Sequence, residues 1–387
     1  MFDMTGFPRE SSLAQFQRAA QTDCDGHATS RSSLRACRYL RDTCLFLSVG
    51  LPYAESPRNG RYDGVRCKGK ACSNTDFGTG FFMDTHNAAS APGTDVCRAE
   101  IIQLLTQRFA APGVYETAIA PLHVIRCDAP SELIHALHRP ALCVIVQGRK
   151  QVALGDEQYV YDPLSYLVVA VTVPVAGRVL EASDEAPYLC IRLDFEPAHI
   201  AQLIAEAPLN GVPDEPQRGL FLEPMDQPLL ETVLRLVRLL DTPRDIGMLA
   251  PLALRELYYR LLRGNNGRRL YEIAVGDSQT HRVTRAVDWL NSNYTEPLRI
   301  DELARMANLG NSTLHHRFKA LTAMSPLQYQ KKLRLQEARR LIINEGLDAS
   351  SACYRVGYES PSQFSREYSR QFGCPPSTDL SRVRQIG

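Results

Sequence analysis

The sequence IDELARMANLGNSTLHHRFKAL, residues 300–321, decides the fold of the C-terminal third of this 387-residue chain. Its apolar residues recur at helical spacing on both sides of the turn Asn308-Leu309-Gly310, which predicts two short helices. The inward-facing residues of these helices are Ile300, Leu303, Met306, Ala307, Leu314, Phe318 and Leu321. Because the outer face of the second helix is polar and basic, the pattern is typical of a helix-turn-helix unit.

The same plan recurs at residues 349–372, ASSACYRVGYESPSQFSREYSRQF. The turn Gly357-Tyr358-Glu359 separates two helical patterns. Ser360-Pro361 is a strong start for the second helix, because serine caps a helix and proline fits its first position. Between the two units, Ser325-Pro326 starts a helix that runs to about Ile342. The sequence therefore predicts two helix-turn-helix units joined by one connecting helix.

Several strings in this region resemble the AraC/XylS family of bacterial transcription regulators. They are Phe318-Lys319, Ser325-Pro326-Leu327-Gln328-Tyr329, Arg334-Leu335 with Ala338-Arg339, and Gly357-Tyr358-Glu359-Ser360 with Phe364, Arg366 and Gly373. The resemblance covers about residues 281–380, and Gln147-Gly148-Arg149-Lys150 is similar to the cupin-like N-terminal domain of one branch of that family. The chain departs from the family pattern at Asn308, where glycine is frequent, and at Asp379-Leu380, where Tyr-Arg is usual.

The resemblance implies that outward-facing residues of the second helix in each unit contact the bases of double-stranded DNA. These residues are Ser312, His315 and His316 in the first unit and Ser362, Ser365 and Arg366 in the second. Arg366 is the clearest candidate, since a guanidinium donates two hydrogen bonds to one guanine edge. The basic residues of the connecting helix are expected to be a mixture of phosphate contacts and solvated side chains, namely Lys331, Lys332, Arg334, Arg339 and Arg340.

Charge is distributed unevenly along the chain. From His281 to the end there are 16 Lys and Arg against 10 Asp and Glu, whereas residues 1–280 have 28 against 33. This asymmetry favours a polyanionic partner for the C-terminal third. No apolar stretch approaches the roughly 20 residues of a membrane-spanning helix, and the N-terminus shows no secretory signal. We therefore expect a cytoplasmic protein with no membrane partner.

The middle of the chain predicts a β-domain. Short runs of β-branched and aromatic residues are separated by turn signals such as Gly155-Asp156-Glu157 and Asp162-Pro163. The predicted strands are 122–127, 141–147, 151–154, 158–161, 166–173 and 188–195. The fold class that follows is multidomain α+β, with a cupin-like jelly-roll β-barrel and flanking helices ahead of an all-α domain with two helix-turn-helix units, at 300–321 and 349–372.

The interior of such a barrel is expected to be an apolar pocket for a small organic effector; the alternative is a packed interior that binds nothing. Cys143 is a candidate lining or reactive residue, with a buried, inert thiol as the alternative. The histidines His123, His135, His138 and His199 are isolated and form no His-x-His pair, so we expect no metal ion and no cofactor. The expected protein is not an enzyme, and a cupin-type enzyme fused to a DNA-binding domain is an alternative.

Two apolar stripes at helical spacing, at 227–240 and 244–262, predict helices that bury against the barrel or against a second copy of the chain. The second possibility implies a homodimer. Residues 98–263 are accordingly expected to form a ligand-binding and dimerisation domain, 264–280 a linker, and 281–382 the DNA-binding domain.

Residues 1–97 are predicted to be an extension of low order, because they lack a sustained apolar pattern. This stretch is either a segment upstream of a true start at Met83 or a mobile tail. Six of the eleven cysteines crowd this part of the chain without forming a C-x-x-C pair. A cysteine-dependent DNA alkylation-repair regulator, which couples a zinc domain to the same kind of DNA-binding domain, is therefore the weaker alternative.

The main expectation is a sequence-specific transcription regulator that binds promoter or operator DNA under the control of a small molecule. The effector remains unidentified at this stage. RNA polymerase is an expected partner if the protein is an activator.

Overall fold

The computed structural model describes residues 92–206, 217–274 and 278–386. The N-terminal extension predicted up to residue 97, the Met83 start and the cysteine-rich segment lie outside the described residues, except for Pro92 onward. Helix α1 (Pro92–Arg108) opens the described chain, several residues before the helix expected around 99–109. Proline at its first position and Asp95 in its first turn account for the early start.

Ten strands follow α1 and form two antiparallel sheets. The larger sheet has six strands in the order β1-β2-β9-β4-β7-β10, and the smaller has four in the order β3-β8-β5-β6. The strands are β1 (Gly113–Glu116), β2 (Leu122–Cys127), β3 (Ile134–His138), β4 (Ala141–Gln147), β5 (Arg149–Leu154), β6 (Glu157–Tyr161), β7 (Ser165–Val169), β8 (Val173–Glu181), β9 (Tyr188–Asp194) and β10 (Leu220–Pro224). The expected β-domain ahead of a helical domain is confirmed, and it is built as two facing sheets rather than one closed barrel.

Four strands were absent from the sequence prediction: β1, β3, β8 and β10. The strand expected over 166–173 is two strands, because β7 ends at Val169 and β8 begins at Val173 in the other sheet. Pro174 and Gly177 inside β8 weaken the strand signal, and β3 carries His135 and His138. These strands form because they pair with neighbouring strands, although their own composition does not favour a strand.

The large sheet is buried on both faces, and alternate residues of its strands serve two different cores. On β9, Leu189, Ile191 and Leu193 pack against helices outside the sheet, whereas Tyr188 and Cys190 face the space between the sheets. The core between the sheets continues without a break into the first helix-turn-helix unit.

The helices that cover the outer face follow the predicted apolar stripes. They are α2 (Pro197–Glu206), α3 (Gln227–Leu239) and α4 (Pro243–Arg263). Asp226 caps α3 by accepting a hydrogen bond from the Leu229 amide, and buried leucines and valines of α3 and α4 pack on the sheet.

Part of the segment 264–280, predicted as a linker, forms helix α5 (Gly267–Ala274). Leu270 is buried in the outer core, and Glu272 accepts a hydrogen bond from Thr280 at the start of the next helix. The sequence analysis missed this short amphipathic helix because turn residues at 263–268 indicated a linker. Tertiary contacts stabilise the helix.

Seven helices complete the described chain. They are α6 (Gln279–Ser292), α7 (Ile300–Met306), α8 (Asn311–Thr322), α9 (Pro326–Glu345), α10 (Ala349–Arg355), α11 (Pro361–Phe372) and α12 (Pro376–Ile386). The connecting helix α9 ends three residues later than expected, at Glu345, where Gly346 adopts the left-handed conformation. Within the described residues, none of the helices has the length and apolar character needed to span a bilayer.

Candidate nucleic-acid interface and the chamber behind it

Each of the two helix pairs is closed by one residue in the left-handed conformation. In the first pair this residue is Asn308, with φ of 51°. In the second it is Gly357, with φ of 87°, and a Cβ there would lie 2.4 Å from the carbonyl oxygen of Thr295. Asparagine tolerates this conformation better than most residues, which explains why the turn forms without glycine in the first unit.

In the first unit, α8 is anchored by apolar residues and presents its polar residues outward. Leu314 and Phe318 are fully buried, whereas Ser312, His315 and His316 are exposed. The three residues expected to contact bases thus lie on the solvent side of the N-terminal half of α8. That half is the part of a recognition helix that reaches base edges in helix-turn-helix complexes.

In the second unit, α11 repeats this arrangement. Ser360 caps the helix by accepting a hydrogen bond from the Gln363 amide, and Phe364 and Tyr368 are buried. Ser362 and Arg366 are exposed and Ser365 is half-buried. Arg366 makes no ion pair within the described residues, so its guanidinium remains available to a ligand.

The strongest departure from expectation concerns the basic residues of α9, which are engaged within the protein. Arg334 donates hydrogen bonds to the carbonyl oxygens of Tyr294 at 2.6 Å, Thr295 and Glu296 at 3.0 Å each, and Gly357 at 2.8 Å. It therefore ties the loop before α7 to the turn of the second unit. The prediction of phosphate contacts or solvated positions is wrong for Arg334.

Three of the other basic residues of α9 also make intramolecular contacts, and the fourth, Lys332, is partly buried. Lys331 pairs with Glu367 at 2.9 Å, and Arg339 pairs at 3.1 Å with the buried Asp379. Arg340 bonds to Glu337 and Glu345, and burial lowers the pKa of Lys332. Lys331 and Arg339 therefore link α9 to α11 and α12, and Arg340 is paired within α9. Local spacing could not predict the pairs of Lys331 and Arg339, because Glu367 and Asp379 come from other helices.

Asp379 replaces the residue that the family usually carries in the last segment. Its carboxylate accepts hydrogen bonds from the Tyr368 hydroxyl at 2.7 Å and from Arg339. Burial is the main cause that raises the pKa of Tyr368, and the Asp379 carboxylate adds to it. Asp379 therefore connects α12 to α9 and α11.

Two exposed cations on the recognition helices were not among the predicted contacts. They are Lys319 on α8 and Arg370 on α11, and neither makes an ion pair with another described residue. Their signal in the sequence was a basic residue one turn beyond each expected base contact. In position and charge they suit phosphate oxygens.

The β-domain holds the C-terminal end of α8. Arg218 donates hydrogen bonds to the carbonyl oxygens of Lys319 and Ala320 and pairs with Glu157 of β6. The amide of Gly219 donates to the carbonyl of Leu321 at 2.9 Å. A guanidinium at a helix C-terminus satisfies free carbonyls and complements the helix dipole.

The second unit touches the β-domain through His135 of β3. A ring nitrogen of His135 lies 3.1 Å from Gln371, and its ring meets that of Phe372 edge to face at 5.1 Å. Burial, with Arg339 and Lys332 nearby, lowers the pKa of His135 to about 4. The histidine is therefore neutral at physiological pH in this contact.

The interior between the two sheets, called the chamber below, was expected to be an apolar pocket, and it contains several buried polar groups. Arg192 and Lys150 line it together with the sulfur atoms of Cys143 and Cys190 and the hydroxyl of Tyr188. Cys143 lies 3.7 Å from Nε2 of His138. Hydrogen bonds from Cys190 and His138, with Arg192 nearby, lower the pKa of the Cys143 thiol against the effect of burial.

Among the described residues, no group of three or more His, Cys, Asp or Glu side chains is arranged to hold a metal ion. His123 instead contacts Asp194 at 3.5 Å.

Comparison with protein families gives one match for each part of the chain. A model described as the AraC-type transcriptional regulator N-terminus matches residues 118–269, and a helix-turn-helix domain model matches residues 303–382. The HTH-type transcriptional activator RhaS of Yersinia pestis bv. Antiqua (strain Angola) is 34% identical over 102 residues. RhaS of Yersinia pseudotuberculosis serotype O:3 (strain YPIII) is similar to the same extent.

These two matches cover 26% of this chain and 37% of each relative, so the chain spans little more than a third of the length of the curated relatives it matches. Among solved structures, Vibrio cholerae ToxT bound to an unsaturated fatty acid is 12% identical with a TM-score of 0.43, covering 67% of this chain and 94% of that one. The DNA-binding domain of AdpA in complex with a target DNA is 26% identical with a TM-score of 0.26, covering 27% and 95%.

Proposed function

The chain belongs to the AraC/XylS family of transcription regulators and has an AraC-type N-terminal domain, and from this premise we propose that it is a sequence-specific DNA-binding regulator controlled by a small molecule. One observation carries the proposal. Both recognition helices bury their aromatic residues and leave polar and basic residues exposed on their outer faces. Such a pair of faces can enter two segments of a major groove.

Six residues are proposed to contact bases: Ser312, His315, His316, Ser362, Ser365 and Arg366. Five of them are exposed and Ser365 is half-buried. Lys319 and Arg370 are added as phosphate contacts, in place of the basic residues of α9. Since α9 has 20 residues, it is about 30 Å long at 1.5 Å per residue, which suits two helices in successive turns of one face of the duplex.

The domain plan is part of the proposal. Residues 98–263 form the effector-binding and dimerisation domain, residues 264–280 connect the domains, and residues 281–382 bind DNA. A small molecule bound in the β-domain can influence α8, because Arg218 and Gly219 donate hydrogen bonds to carbonyl groups at the C-terminal end of α8. A ligand that changes the spacing of the two sheets would move the recognition helix.

A second copy of the chain and RNA polymerase are proposed as further partners. Helix α4 exposes an apolar stripe of Met248, Leu252 and Tyr259, and an exposed stripe of this kind is a natural dimer surface. The curated relatives are named as transcriptional activators, which favours polymerase contact and a cytoplasmic location. We propose no catalytic activity for the chain.

The decisive experiment compares Arg366→Ala with two other variants in binding to an operator located by footprinting and to a random duplex of equal length. Arg366→Ala should weaken operator binding by about 1–3 kcal/mol and relax preference at one base pair, with little effect on random DNA. Arg370→Ala should weaken both duplexes alike and reduce the salt dependence. Lys331→Ala, whose native lysine is paired with Glu367, should change neither by much.

Equal losses on operator and random DNA for Arg366→Ala would remove the base-reading role of Arg366. The same loss of salt dependence in Lys331→Ala and Arg370→Ala would restore α9 as a phosphate-binding helix. If the wild-type chain does not prefer any duplex over random DNA, the proposed function fails.

A further inference from the structure

Two buried cations lie between the sheets, and one of them has no acidic partner among the described residues. Arg192 and Lys150 are only 3% and 7% exposed, and both lie on strand faces that point between the sheets. Asp194, which is partly exposed, pairs with Nε of Arg192 at 2.7 Å. Lys150 has no ion-pair partner among the described residues. Lys150 is therefore a buried cation without a carboxylate partner.

Two buried polar atoms in the chamber also lack partners. Nη1 of Arg192 and the hydroxyl of Tyr188 are buried and make no hydrogen bond of normal geometry in the described part of the chain. The Tyr188 side chain lies beside Cys190, and burial, with Cys190 nearby, raises the pKa of Tyr188. Its hydroxyl is therefore a neutral donor, and unpaired buried donors of this kind are rare in native proteins.

Lys150 reaches the same space from the opposite sheet. It alternates with Val152 and Leu154, which belong to the core between the sheets, and a Cβ on Gly177 would lie 3.5 Å from its Cε. Burial raises the pKa of Cys127 to about 12, and Lys150 opposes this rise. Lys150 also opposes the rise in the pKa of Cys190, while Arg192 acts on Cys143. The two cations therefore flank one cluster of thiols.

We propose that the effector of the β-domain is a small organic anion, such as a carboxylic acid or a phosphate monoester in ionised form, held by Lys150, Arg192 and the Tyr188 hydroxyl. This inference rests on the proposed function, since it names the class of molecule that the regulator senses. A buried cation without a counter-ion destabilises a fold, so its retention points to a partner that completes it. An ionised oxygen group accepts from both cations and from a tyrosine hydroxyl.

Other classes of ligand suit the chamber less well. A cationic ligand would be repelled by Lys150 and Arg192, and a neutral ligand would leave the charge of Lys150 uncompensated. The buried atoms without partners, Nη1 of Arg192 and the hydroxyl of Tyr188, are both donors, which again favours an acceptor.

The test uses the full chain and matched pairs of probes that differ in charge. Acetate, butanoate and benzoate are compared with acetamide, butanamide and benzamide, and phenyl phosphate serves as the phosphate arm. At 10 mM, at least one anion should raise the melting temperature by about 2 °C or more, because a ligand that binds only the folded state stabilises it. The matching neutral amide should leave the melting temperature unchanged.

The variant Lys150→Met separates a ligand-binding cation from a structural one. If Lys150 is held for an anion, Lys150→Met should melt at or above the temperature of the free wild-type chain and lose the response to the anion. Lys150→Arg should keep the response. Arg139→Met, which removes an exposed cation between β3 and β4, should also keep it.

Equal shifts from an anion and its amide, an unchanged response in Lys150→Met, or no response to any anion would each overturn the proposal. Operator binding is measured in the same preparations to keep the two proposals apart. A chain that prefers its operator but ignores every anion keeps the regulatory function and loses the anionic effector. A chain that is stabilised by an anion through Lys150 but prefers no duplex keeps the ligand site and loses the proposed function.

Discussion

The two helix-turn-helix units follow one plan but pack against different partners. In the first unit, Leu314, Phe318 and Leu321 belong to the same core as the residues between the two sheets. In the second, Phe364 and Tyr368 close a separate core with residues of α9 and α10. The position of the first recognition helix therefore depends on the β-domain, whereas the second unit is largely self-contained.

The hydrogen bonds and ring contacts between the domains also tie the first unit more closely to the β-domain than the second. Arg218 and Gly219 satisfy three carbonyl groups at the end of α8. The second unit meets the β-domain through the ring and side-chain contacts of His135 with Gln371 and Phe372. A signal from the β-domain is thus expected to reach the first unit more directly than the second.

The largest effect is expected from truncating the central aromatic residue of each unit. Phe318→Ala and Phe364→Ala should each cost about 3–5 kcal/mol, since both rings are buried. The variants should differ in which elements they affect. Phe318→Ala should speed amide hydrogen exchange in β4 as well as α8, whereas Phe364→Ala should speed exchange in α10 and α11 but not in β4. Tyr354→Ala, at an exposed site, is the control. Faster exchange in β4 of Phe364→Ala would contradict separate cores.

A smaller effect is expected at the turn of the second unit. Gly357→Ala should destabilise the chain by about 2–3 kcal/mol, because the residue has positive φ and a Cβ would collide with the Thr295 carbonyl. The matched variant is Gly310→Ala in the first unit, where nothing lies within 4 Å of the added atom. It should cost less than about 1 kcal/mol, because alanine is a poorer N-cap than glycine for α8 but meets no neighbouring atom. Urea unfolding checks both, and equal midpoints for the two variants would show that the turns do not differ.

The smallest effect concerns pH at the contact of His135. Burial, Arg339 and Lys332 lower the folded pKa of His135 from 6.5 to about 4, so the unfolded state binds more protons below pH 6.5. Stability should therefore fall by about 1–2 kcal/mol as the pH decreases from 6.5 to 4. In His135→Gln this part of the pH dependence should be absent. Parallel stability curves for the two proteins over that range would remove His135 from the contact.

Much of the site followed from the sequence because its signals are local. Ser360-Pro361, the Gly357 turn and the spacing of Phe364 and Tyr368 specify a capped helix with one buried face, and neighbours within one turn decide which residues point outward. The six residues expected at base edges therefore lie on the outer faces of α8 and α11. Their contact with DNA stays a prediction.

The roles of the basic residues of α9 did not follow from the sequence. Arg334 has the same charge and helical setting as a phosphate-binding residue, and only the approach of the Tyr294 loop and the Gly357 turn commits it to carbonyl groups. Partners that are more than 20 residues away leave no trace in local spacing. Periodicity can place an arginine on a helix face, but it cannot say what packs against that face.

The sequence by itself determined the two helix-turn-helix units, the β-domain ahead of them and the family, because capping residues, turns and apolar spacing act within a few residues of one another. Only the tertiary structure decided that the first unit shares a core with the β-domain and that Lys150 and Arg192 face that core from opposite sheets. Strands β4, β5 and β9 converge on that chamber through pairing and packing between distant segments. Those long-range contacts bury two cations in a domain whose strands have an apolar sequence pattern.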